Sequence, residues 1–255
     1  MNTAMRLTVI GCSGSYPGPG SPASCYLVEA EHEGRVWRVL LDLGSGALGA
    51  LHRYVDPLSI DAVLLSHLHA DHCLDLCGYY VMRKYHPTGA QPRIPVWGPP
   101  GTADRMARAY DLPADPGMHH EFDFHEWADP IELGPFTVTP IPVAHPVAAF
   151  GLRVSTGSST LAYTGDTGPT AVLDDLARDV DLFLAEASFR TGDPNPPDLH
   201  LTGSDGGAIA ARAGAKLLVL THVPPWFDPA DALAAARAAY DGPLELARAG
   251  AVYEI

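Results

Sequence analysis

The sequence has few cysteines, few basic residues and no long apolar run, and each shortage excludes a class of protein. Its 4 cysteines among 255 residues are not closely paired, which argues against a disulfide-stabilised secreted scaffold. No apolar stretch reaches the length of a membrane-spanning helix, and no charged and then apolar leader opens the chain. We therefore expect a reduced, cytoplasmic protein with no membrane partner.

The shortage of basic residues also bears on partners. Sixteen lysines and arginines stand against 30 aspartates and glutamates, and the formal net charge is −14. Affinity for a phosphate backbone comes from lysine and arginine contacts, so the sequence predicts no long nucleic-acid ligand, although a local basic patch is compatible with these counts.

No linker, repeat or low-complexity stretch divides the chain, which predicts a single domain over residues 1–255. The proline-rich stretches 17–22 and 193–197 are expected to be loops. Apolar, strand-like runs occur in both halves, and helical or glycine-rich segments follow them. This pattern favours an α/β fold with two β-rich layers flanked by helices.

The densest chemical signal is the segment His67-Leu68-His69-Ala70-Asp71-His72, which follows the apolar run at 62–65. Residues two apart on an extended segment point the same way, so His67 and His69 can bind one metal ion together. Asp71 and His72 come where the chain is expected to enter a helix over Cys73–Tyr85, and they are aimed at a second point nearby. One short loop is thus predicted to serve two metals.

Three further candidate ligands are scattered along the chain in a shared context. His145, Asp166 and His222 each follow a strand-like apolar run, at 138–144, 160–165 and 216–221. Residues at the ends of neighbouring strands converge on one edge of a sheet, where loops commonly carry chemistry. The pattern therefore predicts that these side chains join the histidine-rich loop.

These motifs, taken in order with Asp42, resemble those of metallo-β-lactamase-fold hydrolases over nearly the whole chain. The resemblance implies a four-layer αββα sandwich and two divalent metal ions. Zn²⁺ is expected, and Mn²⁺ or Fe²⁺ suit the same donors. Asp42 is expected to orient ligands, with a strand-end cap as its alternative. The implied ligands are His67, His69 and His145 for one metal, Asp71, His72 and His222 for the other, and Asp166 as the bridge.

Aspartate at position 166 resembles the phosphodiesterase and glyoxalase II branches more than the antibiotic-degrading enzymes. The segment Asp198-Leu199-His200-Leu201-Thr202, with the small-residue stretch after it, is similar to that of ribonuclease Z and related phosphodiesterases. By that resemblance His200 protonates the leaving oxygen and Glu186 orients His200. In the dinuclear mechanism, Asp71 is expected to accept a proton from the attacking water or to hold its orientation. The alternatives are a loop histidine without a role in proton transfer and a structural carboxylate.

Several strings resemble the actinobacterial atypical class II cyclic-AMP phosphodiesterases, among them Tyr163-Thr164-Gly165-Asp166-Thr167-Gly168 and Leu220-Thr221-His222-Val223-Pro224-Pro225-Trp226. This resemblance implies a homodimer that hydrolyses 3′,5′-cyclic AMP to 5′-AMP, by attack of a hydroxide shared by the metals. Two divalent ions, two aspartates and a hydroxide leave a charge of about +1 for a small anionic phosphodiester.

Other functions remain open at this point. Only 21 positions separate His145 from Asp166, enough for a hairpin over Phe150–Tyr163 but not for the long arm by which ribonuclease Z grasps transfer RNA. The alternatives are a phosphodiesterase for phosphoribosyl cyclic phosphate or an RNA end, a glyoxalase II-like thioesterase, and a non-catalytic scaffold module.

Two short segments have an open role in substrate binding. Ser13, Gly14 and Ser15 are small residues that could bring backbone N–H groups to a phosphate, or could form only a strand-to-loop turn. Aromatic residues near the expected pocket mouth could stack on a base, and Trp226 could equally be a core anchor. These aromatic residues are Tyr16, Trp226 and Phe227.

Overall fold

A computed structural model describes residues 4–255, which contain 14 strands and seven α-helices. The strands of the first half are β1 (Met5–Gly11), β2 (Cys25–His32), β3 (Arg35–Leu41), β4 (Ala62–Leu64), β5 (Ile94–Gly98) and β6 (Phe122–Glu126). Those of the second half are β7 (Ile131–Leu133), β8 (Phe136–Pro142), β9 (Phe150–Ser155), β10 (Thr160–Tyr163), β11 (Leu182–Glu186), β12 (Leu218–Thr221), β13 (Leu244–Leu246) and β14 (Val252–Glu254). The helices are α1 (Ala47–Leu51), α2 (Ala70–Cys73), α3 (Leu76–Lys84), α4 (Thr102–Ala109), α5 (Val172–Leu176), α6 (Gly203–Ala213) and α7 (Pro229–Arg237).

The strands form two seven-stranded mixed sheets. The first sheet has the order β14-β1-β2-β3-β4-β5-β6, and the second has the order β13-β12-β11-β10-β9-β8-β7. Strands β3 to β6 pair in parallel in the first sheet, and β10 to β13 pair in parallel in the second. The two parallel halves therefore each have one edge where all their carboxyl ends meet.

Along each strand, successive side chains alternate between the core that the two sheets share and an outer core beneath the helices, as the period of a strand requires. On β3, Val39 and Leu41 lie in the core between the sheets, whereas Leu40 faces a second core beneath α1 and α3. On β12, Val219 lies in the shared core, and Leu218 lies in a third core beneath α5 to α7. Both faces of each sheet are covered, which confirms the predicted αββα sandwich.

The helix after the histidine-rich loop differs from the expected Cys73–Tyr85. It begins at Ala70 and is interrupted after Cys73, because the Asp75 N–H donates to the carbonyl of Leu43 instead of continuing the helical ladder. The Asp75 carboxylate in turn accepts a hydrogen bond from the N–H of Leu48. These two hydrogen bonds join the end of the histidine-rich loop to the segment that follows β3.

The predicted hairpin over Phe150–Tyr163 is present as β9 and β10, which pair antiparallel across a short turn. No arm extends from it. Within residues 4–255, none of the helices combines the length and the hydropathy that crossing a membrane would require.

Candidate metal centre and acid pair

Most of the predicted metal ligands and their supporting carboxylates lie at or just past the carboxyl ends of strands, and His145 lies three positions after the antiparallel strand β8. Asp42 follows β3, the histidine-rich loop follows β4, Asp166 follows β10, Glu186 ends β11, and His222 follows β12. Asp42 and His222 have left-handed backbones, with φ of 59° and 57°. Such conformations cost about 1–3 kcal/mol each in non-glycine residues and are common at functional sites. Here they turn the two side chains out of their strand directions.

The first cluster consists of His67, His69, His145 and Asp166. The His69 Nδ1 atom lies 3.0 Å from His67 Nε2 and 3.2 Å from His145 Nε2. The His67 Nε2 atom lies 3.8 Å from Asp166 Oδ2. One donor atom from each of the four residues lies within 4.8 Å of the others, which is the spacing that a single ion requires.

The second cluster consists of Asp71, His72, Asp166 and His222. The Nε2 atoms of His72 and His222 are 3.0 Å apart, and His222 Nε2 lies 3.1 Å from Asp71 Oδ2. The distance from His72 Nε2 to Asp166 Oδ1 is 3.2 Å. Asp166 is thus the residue common to both clusters, and its buried Oδ1 has no hydrogen-bond partner within residues 4–255.

The outward-facing ring nitrogens indicate where the histidine protons lie. His72 Nδ1 is 2.7 Å from Asp42 Oδ2, and His145 Nδ1 is 2.9 Å from the carbonyl oxygen of Leu199. A carboxylate and a carbonyl only accept hydrogen bonds, so both Nδ1 atoms donate. In the neutral rings, Nε2 is then a lone pair directed into the cluster.

The same reasoning applies to two histidines that contact a serine. The Ser66 hydroxyl donates to Asp42 Oδ2 (2.8 Å) and therefore accepts from His67 Nδ1 (3.1 Å). The Ser188 hydroxyl donates to the carbonyl of His222 (2.9 Å) and accepts from His222 Nδ1 (2.7 Å). The two clusters are therefore lined with lone pairs and carboxylates, a donor set that fits two divalent cations.

Electrostatics favour positive charge at the same place. Burial lowers the pKa of His67, His69 and His145, which favours neutral rings that can bind a metal ion at neutral pH. Burial also lowers the pKa of His72, but the carboxylates of Asp166 and Asp42 outweigh it and raise that pKa well above its ordinary value. The carboxylates thus stabilise a cation between them, and metal ions supply that charge without protonating a ligand.

Asp42 is fully buried and supports the cluster from behind. Its Oδ2 accepts from His72 Nδ1, from the Ser66 hydroxyl and from the Tyr163 hydroxyl (2.8 Å), while its Oδ1 accepts from the Ser66 N–H (2.7 Å). One carboxylate therefore orients His72 directly and His67 through Ser66, an arrangement typical of residues that support metal ligands.

The acid pair lies beside the second cluster. His200 Nδ1 is 3.0 Å from Glu186 Oε1, and Glu186 is fully buried. Burial lowers the pKa of His200, but the charge and the hydrogen bond of Glu186 outweigh it and raise that pKa to about 9. The same Glu186 oxygen accepts from the Thr167 N–H (2.7 Å), which fixes its position one residue after Asp166. His200 is thereby held as a cation near the bridge position.

The small residues after β1 brace the site. The Ser13 N–H donates to the carbonyl of Pro22 (3.0 Å), and the Gly14 N–H donates to the carbonyl of Val223 (3.2 Å). A Cβ on Gly14 would lie 2.2 Å from the carbonyl oxygen of His222, so only glycine fits there. The N–H groups of Ser13 and Gly14 are thus used within the turn, and a contact of either residue with phosphate stays a prediction. Ser15 is exposed, and its contact with phosphate stays a prediction.

The exposure of Trp226 decides the alternative that the sequence left open for it, and two cysteines near the site can be placed as well. Trp226 is not a core anchor, because 57% of it is exposed; it contacts Tyr16 instead of entering the core. Cys73 lies in the core beneath α3, and neither it nor Cys77 belongs to a potential metal cluster of residues 4–255.

Sequence reasoning missed the residues that orient the ligands: Ser66, Tyr163, Ser188, Thr167 and the Leu199 carbonyl. Ser66 had a weak signal, since it directly precedes the histidine-rich loop. Ser188 lies 34 positions before the histidine it contacts, so no local spacing connects the two.

Fold and site together define a metallo-hydrolase of the metallo-β-lactamase type. A family model for the β-lactamase superfamily domain matches residues 37–223, so the chain belongs to this superfamily.

Relatives from bacteria agree with this assignment. The chain is 46% identical to the uncharacterized protein Rv1339 of Mycobacterium tuberculosis, over 99% of this chain and 93% of that protein. It is 30% identical to ribonuclease Z of Mycobacterium marinum, over 87% of each chain. The probable metallo-hydrolase YhfI of Bacillus subtilis is 29% identical over 98% of this chain and all of that protein. The crystal structure of YhfI superposes with a TM-score of 0.87 at 27% identity, covering 99% of this chain and 100% of that chain.

Proposed function

We propose that the protein is a dinuclear metal-dependent phosphodiesterase that hydrolyses a small cyclic phosphodiester, with 3′,5′-cyclic AMP converted to 5′-AMP as the leading substrate. His67, His69 and His145 would hold one ion, Asp71, His72 and His222 the other, and Asp166 both. Divalent ions bound there would lower the pKa of water towards 7 and neutralise charge on the phosphoryl oxygens. Their identity as Zn²⁺, Mn²⁺ or Fe²⁺ is left to metal analysis.

The acid pair is the observation that carries this proposal. Opening a cyclic nucleotide expels the ribose 3′ oxygen, a poor leaving group that must be protonated as the P–O bond breaks. His200 is hydrogen-bonded through Nδ1 to a fully buried Glu186, which leaves the opposite ring nitrogen to carry the transferable proton. A hydrolase acting only on activated esters would not need this buried carboxylate.

Asp71 supports the opposite end of the reaction. Burial raises the pKa of this carboxyl, but its hydrogen bond with His222 and the charges of His72 and His222 outweigh burial and hold that pKa well below its ordinary value. A carboxylate that stays charged can orient the attacking water and accept its hydrogen bond. Asp71 and His200 therefore divide the work, one positioning the nucleophile and the other protonating the leaving oxygen.

Substrate size follows from the hairpin and from the charge. The β9–β10 hairpin has only four residues between its strands, and the chain carries a formal charge of −14. A protein without an extended arm and with few basic side chains has little with which to bind a folded RNA. A small phosphodiester needs only the local positive charge of the site.

The test is turnover of cyclic AMP by the metal-reconstituted protein, with bis-p-nitrophenyl phosphate as a substrate whose leaving group needs little protonation. Hydrolysis of both, with 5′-AMP as the product, is the expected result. Hydrolysis of the activated diester alone would reject cyclic AMP and direct attention to phosphoribosyl cyclic phosphate or RNA ends. Failure on both, with hydrolysis of lactoylglutathione, would replace the proposal with a thioesterase.

A further inference from the structure

Two large aromatic side chains are exposed together, on segments that follow Gly14 and His222 in the chain. Trp226 is 57% exposed and Tyr16 is 43% exposed, and their ring centroids lie 5.3 Å apart with 35° between the planes. Phe227 also contacts Trp226, with a centroid distance of 6.0 Å and 79° between the planes. The tryptophan ring is therefore held in place by neighbours while more than half of it faces solvent.

The loop that carries Tyr16 lies between two segments of the site. On one side, Gly14 packs against the backbone of His222, as described above. On the other side, a Cβ on Gly46 would contact the side chains of Pro17 and Pro22 at 3.7–4.0 Å, and the neighbouring Gly44 packs directly against the Asp71 carbonyl. Tyr16 therefore follows, by two positions, a glycine that packs against His222 of the second cluster.

Trp226 is close in the chain to the same histidine, His222. It follows that residue by four positions, and four residues span at most about 14 Å. In a nucleotide, the base lies within a similar reach of the phosphate. The backbone of Trp226 therefore lies within about 14 Å of that of His222, close enough for its ring to reach a base whose phosphate lies at the metal centre.

We propose that Tyr16 and Trp226 form a stacking platform for the base of a nucleotide whose phosphate lies at the metal centre. This inference rests on the proposed function and extends it to the part of the substrate that does not react. Stacking uses the flat face that every base has, so the platform favours purines over pyrimidines by area and discriminates little between adenine and guanine.

The test compares binding of 5′-AMP with binding of ribose 5-phosphate, which has the same phosphate and sugar but no base. In the metal-loaded protein, calorimetry should show tighter binding of 5′-AMP. The variant Trp226→Ala should weaken 5′-AMP by about 5- to 150-fold and leave ribose 5-phosphate unchanged. Tyr16→Ala should have a smaller effect in the same direction, and Trp226→Phe should restore most of the affinity.

A matched control is Tyr85→Ala, which removes another exposed aromatic ring, 66% exposed, at the end of α3. It should change neither affinity. Equal affinity of the unaltered protein for both ligands, or undiminished preference for 5′-AMP in Trp226→Ala, would overturn the platform. If the Trp226→Ala variant that keeps this preference also dissociates in sedimentation, the pair belongs instead to the interface of the expected homodimer.

This readout is separate from the proposed activity. If cyclic AMP is not hydrolysed but 5′-AMP binding still depends on Trp226, the substrate assignment fails and the platform holds. If cyclic AMP is hydrolysed and binding is indifferent to Trp226, the platform fails and the activity holds.

Discussion

The two sheets contribute to the candidate metal centre in different ways. The first sheet supplies His67, His69, Asp71 and His72 from one six-residue loop, backed by the single buried carboxylate of Asp42. The second sheet supplies His145, Asp166 and His222 from three separate strand ends. His145 is held by the Leu199 carbonyl and His222 by the Ser188 hydroxyl, whereas Asp166 Oδ1 has no hydrogen-bond partner among residues 4–255. One half of the site is thus organised by a shared network, and the other by independent contacts.

This difference predicts which half of the site needs bound metal to keep its side chains in place. In the first half, the Asp42 network orients ligands through hydrogen bonds that exist within the protein itself. In the second half, a buried oxygen of Asp166 has no hydrogen-bond partner among residues 4–255, so an ion is its natural counterpart. We expect loss of metal to loosen the second half more than the first.

The largest expected effect comes from Asp166→Ala, which removes the residue shared by both clusters. Metal analysis should show loss of at least one of the two ions, and phosphodiester hydrolysis should fall to the rate of the metal-free protein. The matched control is Asp193→Ala, at an exposed aspartate of the loop over 193–197. Two ions retained at full occupancy in Asp166→Ala would show that the halves are not joined through this residue.

The next effect separates the acid pair from the clusters. His200→Ala should retain both metals, while turnover of cyclic AMP falls by about 10²–10⁴-fold and turnover of bis-p-nitrophenyl phosphate falls much less. His120→Ala, at an exposed histidine, is the control. Equal loss of metal and activity in His200→Ala would place this histidine among the ligands instead.

A direct test of the comparison sets Ser66→Ala and Asp42→Asn against Ser188→Ala. Asp42→Asn disturbs two ligands at once and should weaken metal binding by about 10–100-fold, whereas Ser188→Ala disturbs only His222 and should weaken it less. Ser66→Ala removes only the link to His67 and keeps the test valid if the buried Asp42 variant does not fold. Competition with a chromophoric chelator measures the affinities, and equal losses at Asp42 and Ser188 would contradict the shared network.

The smallest effect is a change in pH dependence. Glu186 raises the pKa of His200 to about 9 from an ordinary value of 6.5, so Glu186→Gln should lower it. Because the proposed role of His200 requires its protonated form, the alkaline limb of the cyclic AMP profile should move to lower pH in the variant. The profile for bis-p-nitrophenyl phosphate should stay in place, and an unchanged alkaline limb for cyclic AMP would argue against His200 as the acid.

The same pair has a consequence for stability with a defined sign. A histidine whose pKa is raised by folding stabilises the folded state fully below its ordinary pKa, and this contribution is lost as the pH rises through about 9. In thermal unfolding experiments, the midpoint temperature of the unaltered protein should therefore fall relative to that of Glu186→Gln as the pH rises from about 6.5 to 9.

Much of this molecule is predictable from local patterns. The histidine-rich loop is contiguous, so its donors and their two directions follow from strand and helix geometry alone. The strand-like runs before His145, Asp166 and His222 are short and apolar, and the structure places a strand before each of them. The helix after the loop was predicted less well, because its break depends on the Asp75 N–H donating to Leu43, more than 30 positions earlier.

The sequence by itself determined the kinds of donor and the strand ends that carry them, because residue type and a period of two are local properties. Only the tertiary structure decided that Asp42 supports two ligands, that Ser188 orients His222, and that Trp226 lies exposed against Tyr16. Each of these contacts joins segments far apart in the chain, and their distances depend on how the two sheets pack. No local pattern encodes that packing, so the orientation of the site is a property of the fold.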